Sequence, residues 1–571
     1  MTKIFNFYTL LLSTLLITGC GLLGIHIKIH NPKKAGKYKI DKNDELLGDL
    51  NEEKKCYDVK FYDIALQVFP NKKSIRGTVK MNALAVNSFK TLEIDLHPNL
   101  KVLSIVVNGE VASYTRNESA MMITPKQEIS KGSLFNTVVT YEGKPMVANR
   151  PPWEGGTVWK EDNNKKPWLG VACEGLNNGS SIWWPSKDHS SDEPDSFAIA
   201  ITVPQGLTAV SNGVLQKTDY NSIPDSTTWY WKNHYSINNY NITYYVGDFA
   251  LLEDSMQCID GTLKINHYVL AYNYEKAKEH FQQVKKIIRF YEKTFGAYPW
   301  IKDGFKLVES PFAGMEHQSA IAYGNGYKND EYNIDYIILH ETAHEWFGNS
   351  VSAADLAHGW IHEGFATYCE ALYFEDAEGK TAYENSMWYK RLFIKNSRPV
   401  VGPMNKRWFW YKDGDMYMKG AWILGTLRAN INNDKIFFDI LKTFYQENQR
   451  SVILSNTFQE VVERKTGNDY DWFFNQYLYK RETPVLEYFI DEDNYLYYRW
   501  TQCNNDFKLN IKAAPSFNQY ETTKNWVKIS PSTTEIKKTK LMINALYISF
   551  DDNEKLYGKV LNKKLPQLMN K

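Results

Sequence analysis

The sequence predicts a multidomain α+β fold, with a β-rich N-terminal part, a mainly helical middle and a small β-sandwich-like C-terminal part. Three observations carry this. From Tyr57 to about Phe249 apolar residues recur with period two, as in Val79, Met81, Ala83 and Leu92, Ile94, Leu96. That is the strand period. From Tyr274 the spacing lengthens to three and four, with Ala277, Phe281, Val284, Ile288 and Tyr291 on one helical face. From Glu487 the alternation returns in Tyr488-Ile490, Tyr495-Tyr497, Leu509-Ile511, Leu541-Ile543 and Tyr547-Phe550. These changes divide the 571 residues into a leader (1–20), a polar tether (21–50), an N-terminal β domain (51–250), a catalytic domain (251–484) and a C-terminal β domain (485–571).

Within the first β part, Asn108-Gly109 and Asn212-Gly213 read as hairpin turns. The Trp-, Gly- and Pro-rich stretch from Arg150 to Pro185 reads as ordered loops more than regular elements. In the middle part, helical patterns recur around residues 334–348, 363–376, 416–430 and 457–476.

The 67 basic and 66 acidic residues nearly cancel, so nothing points to nucleic acid or another polyanion. The N-terminus reads as a secretory leader: Lys3, a largely apolar run from Leu10 to Ile17, then Thr18-Gly19-Cys20. Leu16-Ile17-Thr18-Gly19-Cys20 resembles the lipobox of bacterial lipoproteins. That resemblance implies a lipid on Cys20 and a membrane-tethered enzyme in the bacterial cell envelope, outside the cytoplasm. The other cysteines, Cys56, Cys173, Cys258, Cys369 and Cys503, are odd in number and scattered, which is not a disulfide framework.

The chemistry centres on His340-Glu341-Thr342-Ala343-His344. Residues four apart share a helix face, so both imidazoles can bind one metal ion with Glu341 beside it as a general base toward water. Zinc suits two histidines plus a carboxylate with a fourth position open. Glu363, after 18 intervening residues, opens the next predicted helix and supplies that carboxylate.

This arrangement, with Trp360-Ile361-His362-Glu363-Gly364-Phe365-Ala366 around the third ligand, resembles the aminopeptidase N-like zinc peptidases, gluzincin aminopeptidases. Ala313-Gly314-Met315-Glu316-His317, ending 23 positions before His340, is similar to that family's Gly-x-Met-Glu-Asn segment. Tyr417-Met418-Lys419-Gly420 is similar to its Tyr-x-Lys-Gly segment. The resemblance implies a thermolysin-like catalytic domain, one zinc ion per chain, and peptide substrates with a free N-terminus. It implies that Glu316 grips the substrate's amino group while the Ala313-Gly314 backbone holds the peptide. It implies that Tyr417 stabilises the oxyanion, and that Glu174, after Cys173, assists at the amino group. Phe312 is placed to line the pocket for the first residue, and Glu309 has no assigned role.

The chain departs from the family pattern at Ala313, His317 and His362. It also stops before the large C-terminal helical domain of the longest members. Two other readings stay open at this level. One is a zinc endopeptidase or related hydrolase indifferent to a free N-terminus. The other is a catalytically inert surface-binding lipoprotein.

Overall fold

The first two long strands show how the pattern folds. Tyr57–Phe69 and Ser74–Ala85 run antiparallel around a turn at Pro70–Lys72. Tyr62, Ile64, Leu66 and Val68 on one, and Ile75, Gly77, Val79, Met81 and Ala83 on the other, are buried, while the residues alternating with them are more exposed. The structure, a computed structural model, describes residues 48–173, 179–220, 223–406, 414–516, 526–541, 547–550 and 557–563. Cys20, the leader, most of the tether and Glu174 lie outside the described residues.

That strand pair forms the middle of an eight-stranded sheet. Its order is Val214–Asp219, Ser226–Asn233, Ser196–Pro204, Tyr57–Phe69, Ser74–Ala85, Leu134–Gly143, Leu100–Val107 and Glu110–Val111. Only the Tyr57–Phe69 and Ser196–Pro204 pair is parallel. A four-stranded sheet packs beside it: Thr208–Ser211, Tyr244–Gly247, Pro167–Ala172 and Gly156–Glu161. The last two strands pair across the stretch read from sequence as loops, and they supply its regular structure. Asn108-Gly109 does turn a hairpin, with both residues at positive φ. Asn212-Gly213 does not. The strand before it pairs with Tyr244–Gly247 and the strand after it with Ser226–Asn233, so the dipeptide crosses between sheets.

Ten described helices, including three of a few residues' length, are numbered in chain order. They are α1 (Glu52–Lys55), α2 (Tyr274–His280), α3 (Gln283–Thr294), α4 (Tyr336–Ala343), α5 (Trp360–Glu378), α6 (Lys380–Arg391), α7 (Asp415–Ile431), α8 (Asp434–Asn448), α9 (Ser455–Thr466) and α10 (Asp471–Tyr477). Helices α1, α6 and α8 fall outside the predicted helical stretches. The catalytic part opens with a five-stranded sheet ordered Phe249–Cys258, Gly261–Leu270, Leu307–Glu309, Ile321–Tyr323 and Gly314–Met315. Gly314–Met315 is thus an edge strand, paired antiparallel on one side.

Two hydrophobic cores meet near this edge. Phe312, Met315, Ala320 and Ala322 belong to the core of the β domain, whereas Ile321 and Tyr323 belong to the core of the helices. Alternation along one short strand therefore stitches the two together. The C-terminal strands form a four-stranded and a three-stranded sheet. Their core is continuous with that of the helices: Phe507 packs edge-on against Trp472, Trp500 and Tyr477. None of the five described cysteines forms a disulfide. Among the described residues no helix is long and apolar enough to cross a membrane.

Candidate active site

Helix α4 starts at a strong cap. Asp335 accepts the Ile337 and Ile338 amides. The same carboxylate accepts from Tyr323 Oη at 2.7 Å and Asn325 Nδ2 at 2.9 Å and meets His280 Nε2 at 2.8 Å, which ties the helix to the five-stranded sheet. One turn on, His340 and His344 point the same way, and their Nε2 atoms lie 3.2 Å apart. Glu363, in the first turn of α5, brings Oε2 to 3.4 Å from each.

Three acceptors converge here, and the hydrogen bonds behind them decide where the protons sit. His344 Nδ1 donates to the Phe347 carbonyl at 3.0 Å, and His340 Nδ1 donates to Glu370 Oε1 at 2.7 Å. Lys390 on α6 holds the other Glu370 oxygen at 2.9 Å, and with His340 it outweighs burial and keeps that carboxyl below its ordinary range. Both Nε2 lone pairs therefore face inward, and buried Glu363 Oε2 has no hydrogen-bond partner. A tetrahedral ion bound at about 2.0–2.1 Å has ligand–ligand edges of about 3.3–3.4 Å. The observed 3.2, 3.4 and 3.4 Å edges fit that figure. Burial disfavours charge on both imidazoles, yet the surrounding carboxylates outweigh it and raise their proton affinity. The site is built for a cation.

Glu341 and Glu316 sit against this triad: donor atoms of Glu316, Glu341 and His344 lie within 4.8 Å of one another. Burial, more than any charge, pushes the Glu341 carboxyl up to about 8. Burial likewise raises Glu316 above the ordinary carboxyl range. A cation at the three donors would pull both down. Gly314 passes so close that a Cβ there would meet Glu341 Oε1 at 2.5 Å and Ile337 Cγ2 at 2.7 Å. Only glycine lets the edge strand lie against the base.

Tyr417, in the first turn of α7, donates its hydroxyl to Glu363 Oε1 at 2.8 Å. The rings of Tyr336 and Tyr417 both stack on His340, with centroids 5.7 Å and 6.2 Å away. Two glycines allow α7 this close to α5: a Cβ on Gly420 would lie 2.7 Å from Gly364 Cα.

The Glu316 segment is gripped from the β domain. Asn349 Nδ2 donates to the Glu316 carbonyl at 2.8 Å, and Asn241 Nδ2 donates to Asn349 Oδ1 at 2.7 Å. Asn212 Nδ2 donates to the Gln318 carbonyl at 2.7 Å, so the dipeptide misread as a hairpin serves as a strut. His317 is buried and held down to about 3 by desolvation. Its Nε2 donates to the Cys173 carbonyl at 3.2 Å, immediately before the undescribed Glu174. Glu309 is structural: it accepts from the Leu270 amide, Asn273 and Tyr327. Phe312 is 5% exposed in the β-domain core, with Cε1 3.2 Å from where a Gly170 Cβ would lie.

Comparison with known proteins agrees with this geometry. Residues 279–477, which include Glu316, His340, Glu341, His344, Glu363, Glu370 and Tyr417 but not the β-domain residues that brace the Glu316 segment, match the Peptidase family M1 domain. Those residues form an M1 domain. The chain is 24% identical over 330 residues to an aminopeptidase N of Streptomyces lividans, covering 53% of this chain and 38% of that protein. It is 26% identical over 309 residues to an aminopeptidase N of Haemonchus contortus, covering 49% of this chain and 31% of that one. It is 25% identical over 427 residues to an aminopeptidase B of Mus musculus, covering 68% and 62%. The matched stretch thus spans under two thirds of these relatives' own lengths. Among solved structures, an M1 zinc metallopeptidase from Deinococcus radiodurans superposes with TM-score 0.62 at 21% identity, covering 74% of this chain and 94% of that one.

Around this M1 domain, sequence reasoning missed Glu370, Lys390, Tyr240, Asn212, Asn241 and Asn349. Glu370 had a legible signal, since it lies seven residues after Glu363 on the same helix face. The asparagines had none, because an isolated asparagine looks the same in a loop and in a buried network.

Proposed function

We propose that the chain is a zinc-dependent aminopeptidase that hydrolyses the N-terminal peptide bond of peptides. The observation that carries this is Glu316: a buried carboxylate beside the metal donors, directly after the edge strand Gly314–Met315, and not itself in the His340, His344, Glu363 set. A carboxylate so placed pairs with an α-ammonium and decides which peptide bond reaches the metal. The family resemblance supports the reading. So do the ligands of the structural neighbours: two-domain M1 zinc metallopeptidase variants bound to L-tryptophan and L-arginine, and the Deinococcus radiodurans enzyme bound to a Tyr-Ser-Ala substrate.

Zinc held by His340, His344 and Glu363 would supply a Lewis acid for the scissile carbonyl and acidify water. The free edge of Gly314–Met315 pairs with an extended substrate backbone, as a strand adds to a sheet. Glu341 takes the proton of the attacking water and passes it to the leaving amine. Tyr417 turns its hydroxyl from Glu363 to the developing oxyanion. Glu174 assists at the amino group. The Leu16–Cys20 pattern supports a lipid-anchored position outside the cytoplasm.

The test compares aminoacyl-arylamides with the same compounds N-acetylated. The free amine should be preferred by about a hundredfold or more, and Glu316→Ala should abolish most of that preference. Equal cleavage by the unaltered enzyme would mean a hydrolase without an amino-terminal anchor.

A further inference from the structure

We propose that Tyr240 and His362 are a positioning pair that aims the Glu316 carboxylate at the substrate's ammonium. The proposal rests on the reading of Glu316 as the amino-group anchor. Tyr240 belongs to the Asn239–Asn241 turn of the β domain, and His362 to the first turn of α5, so the pair spans the seam between the two cores.

The protons along this chain have one consistent arrangement. The Ala353 amide donates to His362 Nε2 at 2.8 Å. That nitrogen is then an acceptor, so the proton of the neutral ring sits on Nδ1, which lies 3.5 Å from Tyr240 Oη. Tyr240 Oη lies 2.9 Å from Glu316 Oε1, and a carboxylate only accepts, so the phenol proton points there. Backbone amide, imidazole, phenol and carboxylate thus line up as donor to acceptor in one direction. The two rings are also near-parallel, 22° apart with centroids at 6.5 Å.

The Glu316 main chain is held by a different group, Asn349, through its carbonyl. Backbone and side chain are therefore fixed separately, and the Tyr240–His362 pair acts on the side chain alone. It sets the rotation of the carboxylate, which a two-oxygen acceptor must have fixed to meet one ammonium in one place. His362 stands where the resembled family has asparagine, and its Nδ1 is the ring atom that an asparagine Nδ2 would overlay. The departure keeps the donor.

The experiment is a double-mutant cycle on the zinc-loaded full chain with an aminoacyl-arylamide. Tyr240→Phe should raise KM by about tenfold to a hundredfold with kcat little changed, the scale of a lost hydrogen bond to a charged group. The same substitution in a Glu316→Ala background should add nothing. His362→Leu should reproduce the KM rise and His362→Asn should restore most of it, with zinc content reporting that the neighbouring ligand Glu363 is intact. An unchanged KM for Tyr240→Phe, or an equal KM rise in both backgrounds, overturns the proposal while leaving the anchor standing. Glu316→Ala with an undiminished preference for the free amine overturns the anchor reading itself, and this proposal with it.

Discussion

A histidine in this protein takes its behaviour from its neighbours. His267, His317, His358 and His362 are held neutral, with burial alone or foremost driving them down to about 3, 3, 4 and 4. His340 and His344 are equally buried, but carboxylates around them raise their proton affinity. His267 isolates the first effect, since it lies outside the metal site and its Nδ1 accepts the Leu307 amide at 3.0 Å. Its folded-state pKa lies below its unfolded one, so the unfolded chain takes up the proton first. Its contribution is complete above about pH 6.5 and is lost as pH falls from there toward 3, at up to about 1.4 kcal/mol per pH unit. His267→Asn keeps an acceptor for Leu307 and removes the titration. Denaturant unfolding between pH 6.5 and 5 should show a flatter decline for that variant, and parallel curves would refute the assignment.

At the scale of elements, the Gly364–Gly420 contact sets the distance between α5 and α7, and through it the distance between Glu363 and Tyr417. Gly420→Ala forces a Cβ to 2.7 Å from Gly364 Cα, against backbone that has no rotamer to yield. The helices must part. Overpacking of this kind costs about 1–3 kcal/mol, and a shift of about 1 Å at Tyr417 costs up to about a hundredfold in rate. Unfolding should show the first and steady-state kinetics the second, with zinc content little changed because none of the three ligands His340, His344 and Glu363 sits on α7. Wild-type kcat would show that this contact does not place Tyr417. Elements were unevenly legible. Helix α8 carries Phe437, Ile440, Leu441, Phe444 and Tyr445 at helical spacing, a signal legible in the sequence. Helix α6 buries Ala382, Ser386, Met387 and Lys390, a face too polar to announce itself. Lys390 is buried because it meets Glu370, a partner on another helix.

Across the whole molecule, metal binding should couple to stability. Without a cation, the two imidazoles and Glu363 crowd one another in a buried site that raises the imidazoles' proton affinity, so only protons can take the place of the metal. A ligand that binds only the folded state adds about 4 kcal/mol when present at a thousandfold its Kd. Chelation should therefore lower the melting transition of the helical core and abolish turnover, and added zinc should restore both. His344→Ala should melt at the same temperature with and without zinc. A chelated enzyme that melts unchanged would rule out this coupling.

The division between sequence and structure follows from distance along the chain. The sequence by itself determined the order of β, helical and β parts, because periods of two and of three to four residues are local properties of strand and helix. It also determined that His340, Glu341 and His344 share one helical turn, since four residues of helix leave no other choice. Only the tertiary structure decided what those residues face. It brought Glu363 to both imidazoles, and it brought Tyr417 to Glu363, Tyr240 to Glu316 and His362 to Tyr240 across separations of 54, 76 and 122 residues. It made Asn212 a strut instead of a turn. Such placements depend on how whole cores pack against each other, and that information is spread over the surfaces of both.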